Sequence, residues 1–270
     1  RFYSSSYGYF GVFLCTDTYG NKLLKSIEDP SHRKWEPRRN KEFGKQINEE
    51  LSALSVKFGS NILAENNDYV MYLEDKDVAQ LPTSLKDSSR EKAKELGKED
   101  KYAFTLHKPS LLPFLTFSPD RKAREEIYRA YLNRGNNNNK YDNKQIINDM
   151  MRLRIEKANM LGYKSYADYV TSEQMAGSPK AVYELLEGIF TQANEKAKEE
   201  LAEMEVMFKR DHNGAEDKFE SWDWWYYAEK VRSRDYALDE NSLRSYFSLN
   251  NVRSGIFELS NRLYGLTFRP

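Results

Sequence analysis

Apolar residues recur at intervals of three and four along almost the whole chain, and that period constrains the fold more than any other feature. A helix turns once in 3.6 residues, so such spacings gather side chains on one face. Between residues 41 and 63, Phe43, Ile47, Leu51, Leu54, Phe58 and Ile62 outline one long amphipathic helix, stopped near the turn cluster Asn66-Asn67-Asp68. Ser178-Pro179 opens another that runs to about Lys209, marked by Val182, Leu185, Leu186, Ile189 and Phe190, then Ala193, Ala197, Leu201, Met204 and Phe208. Its opposite face repeats Glu and Lys, as in Glu195 with Lys198 and Glu199, which is the pattern of a solvated side.

Shorter helices fill the intervals. Leu81-Pro82 begins one that Gly97 closes, with proline early and glycine just past the end. Ser118 reads as an N-cap with Pro119 first in the helix, which then runs to Asn133 before Gly135 and the tract Asn136 to Asn139, taken as a solvated loop. Asn143 opens the next, with Ile146, Met150, Leu153 and Ala158 on its inner face. Tyr166 to Met175 forms a brief one, Asp239 caps a segment with Leu243, Tyr246 and Phe247, and Asn250 caps another with Val252, Ile256, Leu259 and Leu263, ended by Gly265. Two stretches break the helical period. Residues 69–73 and 103–107 are rich in strand-forming residues and read as a small antiparallel ribbon. Leu266-Thr267-Phe268-Arg269 reads as the start of a further strand. The fold class is therefore mainly α, a multi-helix region with one minor β-hairpin or ribbon.

Charge and cysteine content narrow the function classes. The 42 basic residues balance 42 acidic ones, so the chain lacks the basic excess by which proteins hold nucleic acid or an anionic membrane surface. Cys15 has no partner for a disulfide, and no apolar run approaches the ~20 residues of a spanning helix. The apolar stretch Gly8 to Cys15 is short, is flanked by Arg1 alone and follows no Met, so residues 1–40 are expected to be a truncated or divergent N-terminal segment rather than a signal peptide.

The densest aromatic cluster is Ser221-Trp222-Asp223-Trp224-Trp225-Tyr226-Tyr227. Ser221 is its expected N-cap and Asp223 its first-turn acid. On a helix, Trp222, Trp225, Tyr226 and Glu229 share one face, and Trp224, Tyr227, Ala228 and Val231 the next, so one flank is expected to meet a core and another a second layer or a groove. Asp223 is expected to serve the helix N-terminus if the segment is purely structural, and in a functional segment also to fix a neighbouring aromatic or basic group.

That segment also carries a family resemblance. Trp222-Asp223-Trp224, Tyr227-Ala228-Glu229, Tyr236-Ala237-Leu238-Asp239-Glu240 and Tyr246-Phe247 resemble the stretch ahead of the catalytic region in zinc metallopeptidases of the thimet oligopeptidase and peptidyl-dipeptidase family. Leu106 to Ser110, Ser118 to Tyr131, Asn133 to Asn136, Tyr141 to Asn143 and Leu161 to Tyr169 recur in the same order in its peptidyl-dipeptidase branch. The likeness spans residues 46–270. It implies a neurolysin-like helical architecture, two lobes around a channel that admits short peptides, with zinc as the cofactor of the whole enzyme and a cytoplasmic or else periplasmic location. The peptidyl-dipeptidase likeness implies release of dipeptides from peptide C-termini.

The family's His-Glu-x-x-His zinc helix has no counterpart here. His32, His107 and His212 stand alone, followed by Arg, Lys and Asn. Leu263 to Phe268 resembles the lead-in to that helix, so the zinc-binding lobe is expected beyond residue 270. The chain itself is then expected to hold no catalytic residue and no metal, and to be inactive alone. Residues 41–270 would supply a wall of the channel, with Trp222, Asp223, Trp224 and Tyr227 as candidate wall residues. The partners are short peptides and the missing C-terminal catalytic lobe, with neither nucleic acid nor membrane. Loss of that lobe would bare apolar surface at Leu266, Phe268, Trp224 and Tyr227. The alternative is a stand-alone helical module that docks a protein partner.

Overall fold

The computed structural model describes residues 37–212, 217–236 and 244–269. Contacts divide the chain into units 1–49 and 50–270; of the first, only the opening turns of helix α1 (Pro37–Asp68) are described. Among the described residues the second unit holds one two-stranded sheet and otherwise helices. Among the described residues no helix is long and apolar enough to cross a membrane.

Strands β1 (Val70–Leu73) and β2 (Tyr102–Thr105) pair antiparallel, Val70 facing Thr105 and Leu73 facing Tyr102, as the β-forming composition predicts. Between them lie a single helical turn, α2 (Asp75–Val78), and α3 (Thr83–Glu95), which ends before Gly97. Helix α4 (Lys108–Phe117) follows β2 at once, and α5 (Arg121–Leu132) follows α4. These elements enclose the main core: Met71, Val78, Leu81, Leu85, Phe104, Leu111, Phe114, Leu115 and Ile127 are buried together, with the Phe104 and Phe114 rings 4.5 Å apart. Tyr102 closes one edge by donating to Asp75 Oδ1 at 2.7 Å.

Helix α4 is not foreseen from spacing, and it displaces the expected cap. Its run Leu111-Leu112-Pro113-Phe114-Leu115 is apolar on most sides, so no polar stripe marks it, although only Leu111, Phe114 and Leu115 are buried and Leu112 is exposed. Ser118 therefore caps the C-terminus of α4, and Asp120 is the N-cap of α5, its carboxylate accepting from the Lys122 and Ala123 amides at 3.0 and 3.1 Å.

The asparagine tract is likewise tied down. Glu65, buried in α1, accepts from Asn137 Nδ2 at 3.0 Å, from Asn139 Nδ2 at 2.8 Å and from the Gly135 amide. Burial pushes the Glu65 pKa up, but the donors of Asn137, Gly135 and Asn139 outweigh it and hold the carboxyl below its ordinary value. Gly135 has φ +74°, and a Cβ there would lie 2.9 Å from Asn143 Nδ2, so this turn requires glycine. Asn143 in turn accepts from Asn61 at 2.8 Å.

Helix α6 (Lys144–Met160) and the short α7 (Tyr166–Ser172) lead to α8 (Pro179–Asp211), capped by Ser178 as its sequence predicts. Helix α9 (Trp224–Tyr236) packs against α4 and α8, and α10 (Leu249–Tyr264) ends at Gly265 in the left-handed region. Ser248, not Asn250, caps α10, accepting from the Asn251 amide at 3.3 Å. Residues 265–269 form no strand; Phe268 instead stacks on Phe257, centroids 4.3 Å apart. The expected cap at Asp239 and Leu243 lie outside the described residues.

Candidate functional site

The aromatic segment is seated by a buried charge cluster. Its entry is a 3-10 turn, Ser221–Asp223, and the residue in the N-cap position is Glu220 rather than Ser221. The Asp223 side chain reaches back to accept from the Glu220 amide at 3.1 Å, which meets the expected role at the N-terminus. The same carboxylate is 0% exposed and takes two arginines from α5: Arg121 through Nε at 3.1 Å and Nη2 at 2.9 Å, and Arg124 through Nη2 at 2.8 Å. Arg121 also donates to the Lys218 carbonyl at 2.6 Å, and its bond to Asp223 holds its pKa above the ordinary value.

Arg124 is itself fully buried and spends its remaining donors on backbone, Nη1 on the Ser118 carbonyl at 2.6 Å and Nε on the Trp222 carbonyl at 3.3 Å. A buried guanidinium is tolerated because its charge is paired and its N–H groups are bonded. The rings complete the seat. The Arg124 guanidinium lies 4.3 Å from the Tyr226 centroid, and Arg129 sits 4.7 Å from Trp222. Tyr128 on α5 lies 6.4 Å from Trp222 and 6.0 Å from Trp225.

Of the four candidate wall residues, the structure places three inside. Asp223 is the anchor just described, and Trp222 is buried with its indole N–H unpaired. Tyr227 is buried against Phe208 of α8, centroids 5.5 Å apart, which removes it from the surface expected to be bare. Burial and the Asp211 carboxylate beside it push the Tyr227 pKa well up. Trp224 alone of the four is exposed, as are Leu266 and Phe268. Arg121 and Arg124, which hold the segment, are not visible in sequence as its partners. They lie 102 and 99 residues before Asp223, and only their spacing of three on one helix face hints at a joint role.

The described histidines do not fit zinc. His107 Nε2 lies 3.1 Å from Asn67 Oδ1, and His212 Nδ1 lies 2.9 Å from the Phe208 carbonyl with its ring stacked on Phe208. Among the described residues no three His, Cys, Asp or Glu side chains gather closely enough to hold a metal ion. His32 lies outside them. This region can anchor, orient and shield, and it offers an exposed indole beside a rigid buried network.

Residues 114–270 match the family described as Peptidase family M3. Among curated proteins, the chain is 34% identical to the organellar oligopeptidase A of Arabidopsis thaliana, over 86% of this chain and 30% of that one. It is 33% identical to oligopeptidase A of Haemophilus influenzae, over 80% of this chain and 32% of the relative. It is 31% identical to the dipeptidyl carboxypeptidase of Escherichia coli, over 83% of this chain and 33% of the relative. The chain thus spans about a third of the length of these relatives.

Proposed function

The chain belongs to peptidase family M3, and on that premise we propose that it forms a non-catalytic helical wall of the peptide channel in a zinc-dependent oligopeptidase. The observation that carries this reading is the family match over residues 114–270, joined to relatives of both oligopeptidase and dipeptidyl carboxypeptidase name. The zinc-binding lobe is assigned to polypeptide outside this chain. Among the described residues no three His, Cys, Asp or Glu side chains gather closely enough to hold a metal ion, and on this reading the isolated chain is inactive.

Within the wall, Trp224 faces the peptide, while Asp223, Trp222 and Tyr227 act behind it. The Arg121–Asp223–Arg124 cluster fixes the start of α9, and a rigid backbone there holds the indole in place for an apolar side chain of a peptide. Leu266 and Phe268, also exposed, belong to the surface that meets the catalytic lobe. Of the two cleavage modes, release of C-terminal dipeptides is favoured by the run His107-Lys108-Pro109-Ser110 and the asparagine-rich stretch. Percentage identity to the two named groups does not separate them.

The test uses the chain joined to the zinc-bearing region. Peptides with a free C-terminus should lose dipeptides, and the same peptides with an amidated C-terminus should resist. Internal cleavage of both would replace the dipeptidase reading with an endopeptidase one. Trp224→Ala should raise KM with kcat nearly unchanged. Chelator-sensitive, zinc-restored hydrolysis of a quenched peptide by this chain alone would overturn the assignment of the metal to another region.

A further inference from the structure

Helix α8 is 33 residues long, and its buried side chains, Met204 and Phe208, lie near its C-terminus, packed with Tyr227 of α9. The first half is a well-specified helix whose apolar residues lie in water. Ser178 caps it, accepting from the Ala181 amide at 3.3 Å, yet Tyr183, Leu185, Leu186, Ile189 and Phe190 are 64, 65, 47, 59 and 66% exposed. At about 100° per residue these five side chains spread over an arc of about 160°, with Leu185 at one rim and Tyr183 at the other. Ala193, Ala197 and Leu201 carry the same arc forward to Met204 and Phe208, so the bare surface is continuous with the α8–α9 interface. The opposite side of the helix pairs its own charges, Lys180 with Glu184 and Lys198 with Glu195.

We propose that this arc is the seat of polypeptide from outside this chain, a body of more than one packed element that extends the core begun by Met204, Phe208 and Tyr227. The inference rests on the peptidase reading, which assigns the zinc-bearing region to such polypeptide. Three observations select this occupant. This chain covers only 30 to 33% of the relatives it matches, so they carry ample further polypeptide. The arc is also too wide for a single helix, because two helices that share one seam bury a narrower stripe. A second copy pairing α8 with α8 about a two-fold axis would share one such seam and leave Leu185 or Tyr183 in water at the rim. Finally, the arc adjoins an apolar cluster that is already buried, and a contiguous bare patch of that kind marks an interface rather than a solvated face.

The experiment compares this chain alone with the chain joined to its zinc-bearing region, by hydroxyl-radical oxidation read by mass spectrometry. Joining should slow oxidation of Tyr183, Leu185, Leu186, Ile189 and Phe190 roughly fivefold or more, as their exposure falls to that of core side chains. Val206, 62% exposed on the charged side of the same helix, should keep its rate. An unchanged rate over the arc in a joined protein that hydrolyses peptides would overturn this inference and leave the peptidase reading intact. Protection in a joined protein that stays inert with zinc would keep the seat and remove the peptidase reading. Protection that this chain alone gains as its concentration rises would make a second copy the occupant, and protection only on adding a short peptide would make the arc part of the channel; either result overturns the proposal. Phe190→Asp gives a second readout. It should lower the melting temperature of the joined protein by about 5 °C or more and move that of this chain alone by less than about 2 °C. Equal shifts in the two proteins would count against the seat.

Discussion

Residues 69–132 and the pair formed by the first half of α8 with α10 are written in much the same residues, yet they end differently. In the first region the apolar face of every helix meets another element, and Phe104, Phe114 and Ile127 are wholly buried. In the second, Phe190, Ile256 and Leu263 point away from any core. The distinction lies in the sheet and the charge cluster. The β1–β2 hairpin supplies a surface against which α3 and α4 close, and Asp223 pins α9 over α5. Amphipathic spacing creates the demand for a partner but does not supply one.

Four measurements would break or sharpen this contrast. The largest effect is expected at Asp223. Asp223→Ala strands Arg124 in the interior without its counter-ion, and denaturant unfolding should show a loss of about 3–5 kcal/mol. A cost below about 1 kcal/mol would mean that water reaches the cluster and that the first region is not pinned as described. Next come paired truncations in the two regions: Phe114→Ala should cost about 3–4 kcal/mol and Phe190→Ala no more than about 1, since the Phe190 side chain is mostly exposed. Equal losses at the two sites would erase the comparison.

Acid titration tests the turn at Glu65. Because the folded carboxyl titrates below its ordinary value near 4.5, its contribution is fully present above that pH and is lost as pH falls through the lowered folded value. The stability gap between the parent and Glu65→Gln should therefore be constant near neutrality and close on the acid side of pH 4.5. A gap that widens on acidification would contradict the hydrogen bonds from Asn137, Asn139 and Gly135. The smallest effect belongs to the exposed face of α8: Lys198→Ala, which breaks the pair with Glu195, should change stability by less than about 0.5 kcal/mol.

What the sequence makes legible follows the same division. Helix α1, the hairpin, α8 and its Ser178 cap, and the Gly265 stop are readable because each rests on local periodicity or a local cap. Helix α4 is not, because its run Leu111 to Leu115 is apolar even where it is exposed, at Leu112, and so lacks the polar stripe that would reveal it. Ser118 and Asp120 both have cap chemistry two residues apart, and the carboxylate with two amide donors wins. The asparagine tract reads as solvent-loving, yet its amides serve a carboxylate more than 70 positions earlier. Trp222 to Tyr227 is conspicuous in sequence, but which of its members end up inside depends on arginines about 100 residues away, and nothing in the local pattern encodes that pairing.

The separation between Arg124 and Asp223 also bears on how the chain is made. During synthesis from the N-terminus, the hairpin and helices α3 to α5 are complete well before Asp223 exists, with 99 residues separating the two charges. Until then Arg124 has the Ser118 carbonyl for one of its donors but no counter-ion, so drawing it fully out of water is unfavourable. Closing so long a loop also delays the contact. Full burial of Arg124 is therefore favourable only once Asp223 is present. Only when the Trp222 segment emerges does a single carboxylate complete it.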